Sequence, residues 1–351
     1  MFRMEIGGDF HLCDTTSSKE NPNNVFEYLN GFSAAYFDSG RSALRALLEK
    51  CSAQNILLPG YICESVRDCF PADCNVQYYN ITDEIKINWN DLLGKCRSGI
   101  DIVYLHFFNG YIGEEYDFEA LLALKKKYNF VIIEDTTHSF FSAPHTIGDY
   151  CVCSLRKWFP IADGGVLYAK GGIEVTSLSE NAWASQKRTA MADKRAYLEG
   201  LTDDKQRFLN VFASTESALD EQKQICRLSE QSRRTLETID CNTVIARRRQ
   251  NFAFLQANMN CRIVAGNGRN QVPLFFTICA ENRDALRRHF IQSCIYCPVH
   301  WPLYGELETI DSAVSIYNTE LSIPIDQRYG EKEMAYICQK YDDFIERGEK
   351  L

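Results

Sequence analysis

The sequence predicts an α/β protein with a large domain, whose mainly parallel central sheet is flanked by helices, and a smaller C-terminal α+β domain. Three observations carry this. Short apolar runs alternate with helix-like stretches through the first half of the 351-residue chain. The alternation stops at a turn-rich stretch from Arg156 to Gly165, and beyond a long polar region it resumes in shorter, mixed form. The expected boundaries are 1–238 for the large domain and 239–351 for the small one.

The strand-like runs are residues 55–60, 75–81, 101–108 and 130–135, and the helix-like stretches between them are 63–70, 88–96 and 117–129. In the last of these, Asp117 stands at a cap position. Phe118, Leu121 and Leu122 give an i, i+3, i+4 apolar stripe, and Lys125, Lys126 and Lys127 suit the negative helix end. Two further runs, 149–155 and 164–170, flank the turn-rich stretch. From about Ser177 to Asn260 the composition favours helices. Residues 272–279, 294–300 and 321–325 then look like strands, 281–290 like a helix, and a final helix aligns Met334, Ile337, Tyr341 and Phe344 on one face. The sequence contains no internal repeat.

A net charge of -9 gives no general attraction to nucleic acid or an anionic membrane. The first residues lack the apolar core of a signal peptide, and no run reaches the roughly 20 apolar residues that span a bilayer, so a cytoplasmic location is expected. The 15 cysteines are scattered through strand-like and helix-like segments and read as mostly reduced, buried thiols. Cys294 with Cys297, and Cys151 with Cys153, have spacings seen in zinc or redox sites. Neither has a second pair, and both read as small core hydrophobes. No metal is expected.

Three features carry chemistry. At Ser39-Gly40-Arg41-Ser42 an apolar strand gives way to a helix, so backbone N–H groups, a hydroxyl and a helix N-terminus can meet an anion. A plain helix cap is the alternative. The apolar strand 130–135 ends in Glu134 and Asp135, with His138 three residues on. In an open α/β sheet the carboxyl ends of strands face the ligand crevice, so Asp135 either pairs with a cationic ring nitrogen or caps the next turn. Lys157 follows the 149–155 run, three residues after Ser154 and shortly before Gly164-Gly165. Desolvation by Trp158 and Phe159 would free its amine for Schiff-base formation.

Together these segments resemble the DegT/StrS group of pyridoxal-phosphate-dependent sugar aminotransferases, within the fold-type I, aspartate-aminotransferase class. The resemblance covers nearly the whole chain. Its motifs are EIGGDFHL, DSGRSAL, LPGYICESV, VIIEDTTHS, SLRKWFPIADGG, IARRRQNFAFL, CIYCPVHWPLY and LSIPI, in the family's order. It implies pyridoxal 5'-phosphate as cofactor, with Lys157 as the Schiff-base lysine and proton shuttle, and Asp135 keeping the ring nitrogen protonated. His138 stands where many relatives carry a glutamine near the ring's phenolic oxygen, and Gly40, Arg41, Ser42 and Ser154 would surround the phosphate. An amino-acid donor such as glutamate, a keto-sugar acceptor, nucleotide linkage of that sugar, and a homodimer with the active site at its interface are also implied.

The chain departs from the family's pattern at three points. The segment after Pro59 usually supplies an aromatic that stacks on the cofactor ring, and here Tyr61 and Cys63 both fit the register. Val152 replaces a common serine five residues before the lysine, leaving Ser154 as the nearest hydroxyl. Asn109 replaces a tyrosine and either lines the site or makes a turn. Arg156, Arg188 and Arg195 are candidates for a substrate carboxylate or diphosphate, with solvated surface charges as the alternative. Two function classes therefore stand side by side: an aminotransferase, and a cofactor-retaining regulatory or scaffold protein with little turnover.

Overall fold

The computed structural model describes residues 3–13, 20–175, 178–266, 268 and 270–347. Among these the strands run in chain order as β1 (Ile6–Gly7), β2 (Ser33–Phe37), β3 (Asn55–Pro59), β4 (Asn75–Tyr79), β5 (Ile102–His106), β6 (Val131–Asp135), β7 (Tyr150–Cys153), β8 (Gly165–Ala169), β9 (Arg262–Ile263), β10 (Phe275–Cys279), β11 (Ile295–Tyr296) and β12 (Glu320–Pro324). Seven of them form one sheet in the order β2-β8-β7-β6-β5-β3-β4. The pairs from β7 through β4 are parallel, and β8 runs antiparallel to both its neighbours.

Successive residues of a strand face opposite sides, and the core divides accordingly. Leu57, Val103, Leu105 and Ile132 pack with Trp89, Leu92 and Leu121 from the helices Trp89–Lys95 and Phe118–Tyr128. Ile56, Leu58, Ile102, Tyr104 and Ile133 pack with Ala43, Leu44 and Leu47 from the helix Gly40–Leu48. Both faces are covered, which is why these strands read as unbroken apolar runs. Asp117 caps its helix by accepting from the Ala120 N–H at 2.9 Å. Leu122, expected in the apolar stripe, is instead 41% exposed. Leu121, Leu124 and Tyr128 define the packed face, and Leu122 is turned roughly 100° from its centre.

The polar region folds as four helices, Ala184–Leu198, Lys205–Glu221, Glu230–Thr238 and Cys241–Asn258; Ser177 itself lies outside the described residues. Beyond it, β10 lies between β12 and β9 in an antiparallel sheet, packed with the helices Arg283–Gln292 and Glu331–Glu346. Met334, Ile337, Tyr341 and Phe344 are all buried. The 294–300 segment contributes only the two residues of β11, which pair in parallel with β1 and so bring the start of the chain against its C-terminal part. Cys297 is buried, as are Cys151 and Cys153, but Cys294 is not a core residue. It is exposed with φ +58°, at the turn that ends the preceding helix, where its side chain cannot reach the core. No helix among the described residues is long and apolar enough to cross a membrane.

Candidate active site

The parallel strands β5, β6 and β7 end in register: His106 lies opposite Asp135, and Asp135 opposite Val152. Side chains at one level of neighbouring parallel strands share a face, so these three form a row at the carboxyl edge of the sheet. A cavity of about 270 Å³ opens there. Seven of the nine residues expected to hold the cofactor line it: Lys157, Asp135, His138, Ser154, Gly40, Arg41 and Cys63. The other two stand outside its wall. Ser42 is buried, with its N–H bound to the Ser39 hydroxyl at 3.1 Å. Tyr61 is buried with its ring 5.5 Å from that of Trp301, and its hydroxyl has no hydrogen-bond partner among the described residues.

Alternation along β6 sends its two terminal carboxylates to different tasks. Glu134 accepts from the N–H groups of Thr146, Ile147 and Gly148 at 2.7–3.0 Å and pins that loop. Asp135 faces the cavity. Its Oδ2 lies 3.0 Å from His106 Nδ1, and its Oδ1 accepts from the Thr137 N–H at 2.9 Å. Burial by itself would raise this carboxyl's pKa, but the His106 ring and the Thr137 donors outweigh it and hold the group below the usual carboxylate range. His138 sits 4.6 Å from the His106 ring; burial, reinforced by His106, His300 and Lys157, drives its pKa well down and keeps the ring neutral.

Opposite Asp135, the Ser39 hydroxyl caps the helix Gly40–Leu48, so the capping reading is observed. The first-turn N–H groups of such a helix have no partner within it and point toward the cavity end. Close approach explains the glycines here: a Cβ on Gly165 would lie 2.2 Å from Ser39 backbone atoms, and one on Gly40 would meet Ser154 Cβ at 3.2 Å. The cations nearby are already partnered, Arg41 with Asp220 at 2.6 Å and Arg156 with Glu216 at 2.7 Å. Both acids come from the helix Lys205–Glu221.

Lys157 ends a short 3-10 turn, Leu155–Lys157, at the mouth of the cavity. The expected desolvation by its neighbours is not found. Lys157 is exposed, whereas Trp158 and Phe159 turn inward into the core with Phe140 and Phe141. Trp158 is fixed by its indole N–H to Thr137 O at 2.8 Å and by the Arg248 guanidinium 4.5 Å above its ring. The turn thus sends Lys157 to solvent and the two residues after it to the core.

Comparison with solved structures follows this geometry. PseC of Helicobacter pylori, an aminotransferase involved in the biosynthesis of pseudoaminic acid, is similar with a TM-score of 0.69 and 12% identity, over 98% of this chain and 100% of that one. DesV of S. venezuelae, solved in complex with a ketimine intermediate, gives 0.65 and 16% over 96% and 91%. A DegT DnrJ EryC1 StrS aminotransferase from Brucella abortus gives 0.64 and 14% over 95% and 91%. The fold is the one these aminotransferases share. No family model and no curated protein matches the sequence.

Within this aminotransferase fold, several groups at the cavity were not anticipated from sequence. His106 carried a readable signal, as the last residue of an apolar strand beside the acid-bearing one. Thr137, whose hydroxyl accepts from the Ser154 N–H at 3.0 Å, and Glu216, Asp220 and Trp301, which reach the cavity from distant segments, carried none. Asn109 makes a turn, with φ +49°, and ties the C-terminal part to the sheet: its Oδ1 accepts from Phe275 N–H at 2.8 Å and its carbonyl from Gln271 at 2.7 Å. Arg156 is mostly buried rather than solvated, while Arg195 pairs with Glu199 on its own helix and Arg188 is half-buried.

The residues fit a phosphorylated pyridine aldehyde. A helix N-terminus whose glycine leaves room only for backbone beside Ser154 suits a phosphate. A buried, ionised Asp135 suits a protonated ring nitrogen, and an amine stands at the mouth of the same cavity.

Proposed function

We propose that this protein is a pyridoxal-phosphate-dependent aminotransferase that moves an amino group from an amino acid, glutamate in the first instance, to a nucleotide-linked keto-sugar. The observation that carries this reading is the single cavity lined by Lys157, Asp135 and the Gly40 helix N-terminus. When bound, the cofactor supplies an aldehyde that captures amines and a protonated ring that withdraws electrons from the adjoining carbon. Lys157 Nζ would then hold and return the proton at the substrate's reacting carbon. Asp135, oriented by His106 and Thr137, would hold the proton on the ring nitrogen. Gly40, Arg41, Ser42 and Ser154 would bind the phosphate, and neutral His138 would lie near the phenolic oxygen.

We further assign 1–238 to a cofactor-binding domain and 239–351 to a smaller one, and propose a homodimer whose partner completes the site. Sedimentation of a fully active monomer at micromolar concentration would contradict the dimer. The enzyme reading is tested by reconstituting purified protein with the cofactor and adding glutamate. A borohydride-sensitive visible band should form and then fade with glutamate, and a band that no common amino acid alters would oppose the reading. That second outcome belongs to a cofactor-retaining protein without turnover, a reading favoured by Cys63 rather than Tyr61 lining the cavity from the segment after Pro59.

A further inference from the structure

Trp158, the residue after Lys157, is held at three points. Its indole N–H donates to the Thr137 carbonyl at 2.8 Å, at the edge of the large sheet. The other two holds come from the C-terminal part of the chain. The Arg248 guanidinium lies 4.5 Å above the indole ring, and Gln327 Nε2 donates to the Trp158 carbonyl at 2.6 Å. Side chain and peptide group of residue 158 are therefore both fixed from outside. Because a planar peptide leaves only two soft dihedrals per residue, fixing them sets where the neighbouring Lys157 backbone lies. The turn by itself aims the amine less firmly. Leu155–Lys157 is a single 3-10 turn, whose hydrogen bonds have poorer geometry than those of an α-helix, and the exposed Lys157 side chain has little packing of its own to direct it.

Gln327 stands on a segment that is itself well anchored. Asn251 is 2% exposed, and its Nδ2 donates to the carbonyls of Ile325, Asp326 and Tyr329 at 3.1, 3.3 and 3.0 Å. Arg328 grips the Asp326 carboxylate with two bonds, at 2.7 and 2.9 Å, and reaches the carbonyls of Asp9 and Gly8 at 3.1 and 3.2 Å. Ile325 and Tyr329 belong to the C-terminal core. Arg248 and Asn251 are near neighbours on the helix Cys241–Asn258, so one helix holds both Trp158 and the segment that carries Gln327. The Gln327 Oε1 is buried with no hydrogen-bond partner among the described residues, which is costly. A methionine of similar length would avoid that cost. What glutamine adds at this position is its bond to the Trp158 carbonyl.

We propose that Gln327 is a positioning residue for the reacting amine: acting through Trp158, it holds the Lys157 turn at the mouth of the cavity, so that the C-terminal part of the chain aims the lysine. The proposal rests on Lys157 being the reacting amine. Its consequence is kinetic, since a misplacement of about 1 Å at a reacting group can cost about a hundred-fold in rate.

The test compares wild type with Gln327→Met, which keeps the length and removes the donor, and with Gln327→Asn, which keeps the amide but is one methylene too short to reach. In cofactor-free protein, hydrogen exchange read by mass spectrometry should speed up about ten-fold in the peptide spanning 154–164 in both variants, as loss of one hydrogen bond allows. Peptides from β5 and β6 should exchange as in wild type. After mixing with pyridoxal phosphate, the borohydride-sensitive band should form about ten-fold more slowly, while affinity for pyridoxine phosphate, which has no aldehyde to react, stays within two-fold of about the wild-type value. Unchanged exchange in the 154–164 peptide overturns the proposal, and so does an unchanged rate of band formation. Equal loss of pyridoxine phosphate affinity also overturns it, because Gln327 would then support the whole cavity and not the amine. Wild type itself separates the two readings: no band, with the exchange contrast intact, defeats the cofactor assignment and upholds the hold on the turn. A normal wild-type band with no contrast in the variants defeats the positioning role alone.

Discussion

Replacing His106 with phenylalanine is the sharpest test of how the sheet edge prepares Asp135. The two side chains are 2% and 8% exposed and meet at 3.0 Å, so solvent screens their interaction little. Phenylalanine keeps a ring in the row but removes the donor, leaving Asp135 with the Thr137 donors. A hydrogen bond to a charged group contributes about 1.5–3 kcal/mol. We therefore expect a loss of about 2 kcal/mol at pH 7, because Thr137 remains. The sign of the pH dependence follows from the depressed pKa of Asp135. Its stabilisation is present above the unfolded carboxyl value of about 4 and is lost as pH falls through the lower folded value. Urea unfolding of cofactor-free wild type and variant, followed by far-UV circular dichroism at pH 7, 5 and 3, measures this directly. The gap should persist at pH 5 and narrow toward pH 3. A shift below about 1 kcal/mol at pH 7, or a gap unchanged at pH 3, would refute the account.

Three further outcomes follow from the same geometry. Lys157→Ala should abolish the borohydride-sensitive visible band without changing the urea midpoint, because the side chain is exposed and its neighbours Trp158 and Phe159 hold the turn; absorbance spectra and unfolding curves check both halves. Gly40→Ala should weaken binding of the phosphorylated cofactor about ten-fold, since its Cβ would lie 3.2 Å from Ser154 Cβ in the cradle. The same substitution should barely alter binding of unphosphorylated pyridoxal, measured by fluorescence titration. His138 should stay neutral from pH 8 to pH 5, because burial lowers its pKa well below the usual histidine value; its ring carbon-proton NMR signals should not move over that range.

The central strands and their helices were legible because a sheet covered on both faces forces unbroken apolar runs, and the helix caps announce themselves locally, as at Asp117. Asp135, Ser154 and the Gly40 turn were legible because each ends or directly follows a strand or opens a helix at the sheet's carboxyl edge, and Lys157 because it follows a strand within one short turn. Cys294 and Leu122 were misread because spacing along the chain does not say where a short strand or a packed stripe stops.

What the chain alone determined was therefore the order of elements and the edge at which chemistry could occur. Only the tertiary structure decided that His106 sits in register with Asp135, that Lys157 faces solvent, and that Glu216 and Asp220 engage the arginines of the cavity. It alone also brought Gly7–Phe10 across to Arg248, Arg287 and Arg328. Strand periodicity and capping are short-range patterns written within a few residues, whereas charge pairing across hundreds of residues depends on where packing finally sets each backbone.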